Sequence, residues 1–155
     1  MSVWHSTATR YRRPNWVERT IVSPILTYLV RNFGLPVSGT CILGVRGRRT
    51  GRRRDVVVSV LRLYGDRFLV APRGETEWVR NLRHAGTAAL RRGAREELVH
   101  ATEVDDDAKP PILRAYLRRW HRIVGHDFEV EGPDASPGAF RRIAPNHPVF
   151  RLSHQ

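Results

Sequence analysis

The sequence predicts an α+β protein, a partly closed antiparallel β-barrel of about six strands with peripheral helices. Three observations carry that expectation. β-rich runs recur from residue 40 onward. Glycine-centred turn signals join several of them as hairpins. The helical stretches fall between groups of strands instead of alternating with single strands. Hairpin connections make the sheet antiparallel, and closing it removes exposed strand edges.

Taken in order, residues 1–13 read as a flexible basic arm and residues 14–155 as one domain, long enough to bury a core. Pro14 suits the first turn of a helix that runs to about Phe33 and stops at "GLP". Trp16, Ile21, Ile25, Leu29 and Val30 fall near one face of it, and Pro24 kinks or divides it. Such a helix either caps a barrel or lies on a membrane surface. The runs "TCILGVR", "DVVVSVLRLY" and "DRFLVAPR" follow as strands, with "GRRTG" and "YGD" as the turns between them. "ETEWVRNLRHAG" is a helix with Glu75 or Thr76 near its start and Gly86 as its stop. "TAALRRG" and "AREELVHATEV" form a hairpin about Gly93. Alternation of Leu98, His100 and Thr102 against Val99, Ala101 and Glu103 marks its second strand as half-buried. A helix from about Pro110 to Val124 has acids before it and arginines towards its end, as the helix dipole favours. A short helix at "SPGAFRRI" and a last strand, "HPVFRLS", complete the order.

Charge points to an anionic partner. The chain of 155 residues carries a formal +12, and Lys109 is its one lysine. Residues 1–54 hold eleven arginines against a single acid, Glu18, which leaves only +2 for the rest. A nucleic acid, a membrane surface and a small polyanionic ligand all satisfy that asymmetry. The single cysteine, Cys41, excludes an internal disulfide framework and fits a reducing cytoplasm; its apolar setting in "TCILGV" suits a buried small side chain. No signal peptide is visible, and "TIVSPILTYLV" is too short to span a bilayer.

Three local features bear on chemistry. In "RGRRTGRRR", residues 46–54, six of nine positions are arginine. Gly47 and Gly51 allow a tight turn with exposed amides, an anion nest, and Arg49 and Arg54 are suited to bidentate grip on phosphate or carboxylate. "APRG" at 71–74 ends a strand before a helix. "WVRNL" at 78–82 lies in the first turns of that helix, an anion-friendly position, with Trp78 as a wall for a planar ring and Asn81 as a paired donor and acceptor.

In this order and spacing, "GRRTGRRR", "FLVAPRG" and "EWVRNLRHAG" resemble the deazaflavin-dependent nitroreductase and quinone-reductase family of actinobacteria. The likeness runs from about Gly39 to Val104, and "NHPVFRL" fits that family's C-terminal strand. It implies a split β-barrel of flavin-reductase type binding coenzyme F420, an 8-hydroxy-5-deazaflavin whose lactyl phosphate and γ-linked glutamate tail make it a small polyanion. By residue, it implies that Arg49 meets the phosphate or tail, with Thr50 and Gly51 in the turn, and that Arg54 closes the motif. Val57 and Val58 match positions beside the deazaflavin ring. Ala71, Pro72, Arg73 and Gly74 match the loop on the ring's other side, and Trp78 and Asn81 the helix motif. Arg46, Arg48, Arg52 and Arg53 are additional charge, either for a long glutamate tail or for plain surface. Two departures stand out: Pro72 occupies a position where serine or threonine is common, and "GETEW" is short.

The resemblance further implies hydride transfer from reduced F420 to a planar electrophile such as a quinone, an enone or a nitroaromatic. Tyr28, Tyr116 and Trp120 are candidate substrate walls, and Tyr116 and His121 candidate proton donors. Tyr116 and Trp120, four apart on one helical face, equally suit packing against the barrel. His121, His126 and Asp127 have poor metal-ligand spacing, so no metal is expected. Two rivals remain open. One is a nucleic-acid-binding barrel using Trp4, Tyr11 and Trp16 as stacking platforms. The other keeps the barrel but binds FMN or haem, or serves as a non-catalytic binding protein. A cytoplasmic location, peripheral contact with the inner face of the membrane through residues 1–33, and a homodimer complete the expectations.

Overall fold

The computed structural model describes residues 39–155. The basic arm, the helix expected at 14–33, Tyr28 and the proposed membrane contact lie outside these residues. From Thr40 on, the expected order holds. Strands β1 (Thr40–Arg46), β2 (Arg53–Leu63) and β3 (Asp66–Val70) are followed by helix α1 (Glu77–Ala85). Strands β4 (Thr87–Arg92) and β5 (Arg95–Glu103), helices α2 (Lys109–Val124) and α3 (Pro137–Ile143) and strand β6 (Val149–His154) complete the chain. The strands close into a barrel in the order β1-β2-β3-β6-β5-β4, with every neighbouring pair antiparallel.

Period-two alternation builds two cores from one sheet. Inward positions such as Leu43, Val60, Leu69, Val99 and Phe150 fill the barrel, and Val79 and Leu82 of α1 join them. Outward positions Leu61, Phe68 and Val70 pack instead against Leu113, Tyr116 and Leu117 of α2 and Phe140 of α3. Complete burial of Val79 and Leu82 contributes about 1.5–3 kcal/mol each, which docks α1 across one end of the barrel. Cys41 is a buried, free thiol in the inner core, as its apolar setting suggests.

Local chemistry sets the boundaries. The β2–β3 hairpin turns through Tyr64 (φ 52°) and Gly65 (φ 80°), a pair of left-handed residues that matches the strand twist. β3 ends at Val70, earlier than the "DRFLVAPR" run, because the chain leaves the sheet where Pro72 has no N–H to offer. Thr76 is the N-cap of α1 and Gly86 its C-cap. α2 breaks its helical geometry at Trp120 (φ −124°, ψ 19°).

Strand polarity then decides where function collects. β1 and β3 finish, and β2 and β4 begin, at the same end of the barrel. The arginine turn between β1 and β2, the 71–76 loop and α1 therefore share that end, while the Tyr64–Gly65 and Gly93 turns lie at the other.

Candidate cofactor site

The arginine turn organises itself before it offers anything to a ligand. Gly47 N donates to Arg52 O (2.7 Å) and Gly51 N to Gly47 O (2.8 Å), while Arg52 N donates to Thr50 Oγ1 (3.3 Å). Gly51 sits at φ +69°, where a side chain would be strained. These bonds narrow the expected anion nest: the amides of Gly47, Gly51 and Arg52 are engaged within the turn and that of Arg48 by Asn81, which leaves the Arg49 and Thr50 amides without such a bond among the described residues.

The arginine side chains of the turn divide into two groups. Arg48 turns onto α1, where Nη1 donates to Glu77 Oε2 (2.8 Å) and to Asn81 Oδ1 (2.9 Å). Its backbone N–H donates to the same Asn81 oxygen (3.2 Å). The bond from Arg48 lowers the pKa of Glu77. Arg53 crosses the outer face of the sheet, bonding Asp55 (2.8 Å) and both oxygens of Glu96 (3.0 and 3.2 Å). It lies so close over Gly44 that a Cβ there would displace the guanidinium. The bond to Glu96 is the main reason that the pKa of Arg53 is raised. Arg46, Arg49, Arg52 and Arg54, by contrast, are exposed, and none makes a hydrogen bond or close ion pair with a carboxylate among the described residues, although Arg49 lies near enough to Glu77 to help lower its pKa. Beside them opens a cleft of about 440 Å³, lined by Arg46, Gly47, Arg48, Gly51, His84 and Thr87 among others. A shallower groove of about 210 Å³ shares Arg46, Gly51 and Thr87 with it and extends it over Gly44 towards Leu98.

The 71–74 segment is a tight turn latched to the chain before β6. Ala71 N donates to Pro148 O (2.9 Å) and Gly74 N to Ala71 O (3.1 Å). His147 Nδ1 lies 3.2 Å from Ala71 O, placed to donate in its Nδ1–H tautomer. Burial lowers the His147 pKa and keeps the ring neutral, stacked on Phe128 at 4.2 Å. Gly74 (φ +75°) sits where a Cβ would press on Asn146 O at 3.0 Å. Ala71 is buried, Pro72 half-buried and Arg73 exposed, and Arg73 has no ion pair among the described residues. It adds a further available guanidinium at this end.

Trp78 is half-buried at the barrel mouth, packed on the inner core with its ring 6.3 Å from that of Phe150. Val57 and Val58 face opposite sides of β2. Val58 belongs to the inner core, so only the half-buried Val57 presents its side chain outward. Asn81 is buried beneath the arginine turn. The structure thus brings the arginine turn, the 71–74 turn and the Trp78–Asn81 helix to one end. It does not bring the α2 candidates there. Tyr116 and Trp120 are buried in the outer core with rings 4.8 Å apart, and Trp120 reaches Gly39, just before β1 at the far end. Burial raises the pKa of the Tyr116 phenol, whereas His121 is exposed.

Sequence reasoning missed His84 and the partners of Arg48. A signal was present: Glu77, Asn81 and His84 follow i, i+4, i+7 spacing and share one face of α1, opposite the barrel-facing Val79 and Leu82.

A family model described as F420H(2)-dependent quinone reductase matches residues 12–124. No curated protein matches the chain. Among solved structures, one described as a domain-swapped dimer is 14% identical, with a TM-score of 0.51 over 90% of this chain and 98% of that one. An F420-H2-dependent reductase, FDR-A, is 14% identical with a TM-score of 0.50, covering 75% of this chain and 95% of that one. The heme storage protein HutZ of Vibrio cholerae is 11% identical with a TM-score of 0.50, over 86% and 89%. At such identities the likeness is one of fold. The barrel therefore does not select a cofactor; the family match does.

Proposed function

The chain belongs to the F420H(2)-dependent quinone reductase family, and from that premise we propose that its arginine-turn end grips the anionic tail of the cofactor while a planar electrophile is reduced beside the ring. The protein is an F420-dependent oxidoreductase acting on a small-molecule electron acceptor. The observation that carries the assignment of the site is the set of exposed guanidiniums without an ion pair among the described residues, Arg46, Arg49, Arg52 and Arg54 with Arg73, at the same end of the barrel as the 440 Å³ cleft that Arg46 and Arg48 line.

That donor set fits the coenzyme. A phosphate and a run of γ-linked carboxylates need several cations that are not already neutralised, and planar guanidiniums bind both groups by paired hydrogen bonds. When bound, F420H2 supplies a hydride. The protein's part is to bind and orient. Arg49 and Arg54 hold the phosphate, and Arg46 and Arg52 extend the positive surface for the tail. Trp78 walls the ring with its exposed portion, and Val57 offers an apolar contact on the outer face of β2. The turn of Ala71, Pro72 and Gly74, held by Pro148 and His147, limits movement at the other side. Thr50 and Gly51 shape the arginine turn. Tyr28 is assigned to the acceptor side; Tyr116 and Trp120 pack α2 against the barrel, and neither they nor His121 lie at the arginine-turn end, so no proton donor is assigned among them. Quinones, enones and nitroaromatics are the acceptor classes.

Among the described residues no helix is long and apolar enough to cross a membrane. We assign the protein to the cytoplasm or the inner membrane face, with residues 1–33 as the peripheral contact, and to a homodimer. Liposome flotation with and without those residues tests the contact, and sedimentation tests the dimer. The deciding experiment for the cofactor is a fluorescence and absorbance titration with F420 in parallel with FMN. Saturable binding of F420 at micromolar concentration or below supports the assignment; binding of FMN with none of F420 overturns it.

A further inference from the structure

We infer that Asn81 is a positioning residue, whose side-chain oxygen pins the arginine turn to α1 and thereby sets the cationic face that meets the cofactor's anionic tail. The inference rests on the placement of the tail proposed above, but it concerns a contact within the protein.

The geometry assigns the role through the acceptor side of the amide. Asn81 is only 6% exposed, and its Oδ1 takes one hydrogen bond from the Arg48 backbone N–H at 3.2 Å and another from Arg48 Nη1 at 2.9 Å. A carbonyl oxygen has two lone pairs, so both are in use. Arg48 is held again by Glu77, one helical turn earlier. The remaining hydrogen bonds of the turn, from Gly47, Gly51 and Arg52, stay inside it. Among the described residues, the grip of Glu77 and Asn81 on Arg48 is therefore what ties the loop 47–52, between the paired strand ends Arg46 and Arg53, to the rest of the fold.

The tether matters because of what flanks it. Arg46 and Arg49 lie on either side of Arg48, and like charges packed into one short turn repel one another. Without the pin, the turn relaxes by spreading those guanidiniums apart. An anion must then order them again on binding, at a cost in affinity. Pinning at a backbone N–H fixes the main chain itself, which a side-chain ion pair alone does not do.

Two readings of a buried asparagine beside an anion site make opposite predictions for one substitution. If Asn81 donates from its amide nitrogen to the cofactor, Asn81→Asp replaces a donor by a negative charge and is worse than Asn81→Ala. If it accepts from Arg48, Asn81→Asp keeps the acceptor and strengthens the pair. The test titrates F420 into the full-length wild type, Asn81→Ala and Asn81→Asp, following cofactor fluorescence. Amide hydrogen exchange over residues 46–54 is measured on the same proteins without cofactor. Asn81→Ala is expected to weaken F420 binding roughly 10- to 100-fold, the range for losing a hydrogen bond made by a charged group, and to speed exchange across the turn. Asn81→Asp is expected within about 3-fold of wild type in affinity, with exchange near wild type. F420 binding as weak in Asn81→Asp as in Asn81→Ala, or unchanged exchange over 46–54 in Asn81→Ala, overturns the inference. Failure of the wild type itself to bind F420 overturns the cofactor assignment instead, and the exchange data still judge the tether.

Discussion

Removing Arg49 and Arg54 together is the most direct test of the division within the arginine turn, because both are exposed and neither makes a hydrogen bond or close ion pair with a carboxylate among the described residues. An Arg49→Ala, Arg54→Ala variant takes two charges from the anion-binding end without opening the core. A charge-assisted hydrogen bond to a buried ion is worth about 1.5–3 kcal/mol. These groups are solvent-exposed, so a value near 1 kcal/mol for each is appropriate. Together they give about 2 kcal/mol, or roughly a 30-fold loss of F420 affinity. The control must lose the same charge at the wrong end. Arg62 near the end of β2 and Arg95 at the start of β5, both exposed, meet that need. Eight residues of β2 separate Arg54 from Arg62, and at a strand rise of about 3.3 Å that spans roughly 26 Å. The Debye length at 0.15 M salt is about 8 Å, so Arg62→Ala, Arg95→Ala is expected to bind within about 2-fold of wild type. Fluorescence titration at two salt concentrations measures both variants. Wild-type affinity falls with salt more steeply than that of the Arg49, Arg54 variant, which has fewer ionic contacts to screen. If both double variants lose affinity equally, only net charge matters and the proposed site is wrong. If the first binds F420 as wild type does, the residue assignment fails.

Two further outcomes follow from the fold. Tyr64 holds φ 52° and is 87% exposed, so it pays for a left-handed conformation with no burial in return; Tyr64→Gly or Tyr64→Asn is expected to stabilise by about 1 kcal/mol, raising Tm by roughly 3 °C in a thermal melt. His147 has a folded pKa lowered from 6.5, first by burial. A depressed histidine pKa means that the unfolded chain binds the proton more tightly, so its contribution to stability is intact above about 6.5 and declines as pH falls below it. Urea unfolding between pH 8 and 5 is expected to show that decline in the wild type. In His147→Phe the histidine's share of it vanishes, and stability at pH 8 is lower because the bond to Ala71 is gone; an identical pH slope in the two proteins would refute the linkage.

Much of the barrel was legible because its signals are local. Alternation in "TCILGVR" and "DVVVSVLRLY", and the turn residues in "YGD" and around Gly93, specify which side chains face inward and where strands reverse, within a few residues of each other. Helix α1 carried two faces in nine residues, with its N-cap Thr76 and its stop Gly86 immediately beside them. The features that local signals left open are those that depend on tertiary placement. The glycine amides of the arginine turn were expected to face a ligand but are bonded within the turn, since six arginines within nine residues say nothing about backbone bonding. Val57 and Val58 were expected together beside a ring, yet strand alternation sends them to opposite sides of the sheet once the barrel closes. Tyr116 and Trp120 share a helical face, as their spacing requires, and that face lies against β2 and β3.

By itself the sequence determined the class of fold, the order of its elements and the presence of a strongly cationic turn, because period, turn chemistry and charge are properties of neighbouring residues. Tertiary structure decided which of those arginines are available. Arg48 is neutralised by Glu77, 29 residues away, and hydrogen-bonded to Asn81, 33 residues away, and Arg53 is neutralised by Glu96, 43 residues away. Only barrel closure and the docking of α1 bring those partners within hydrogen-bonding distance. Guanidiniums of identical chemistry therefore separate into carboxylate-paired and exposed sets by where the folded chain puts the acids.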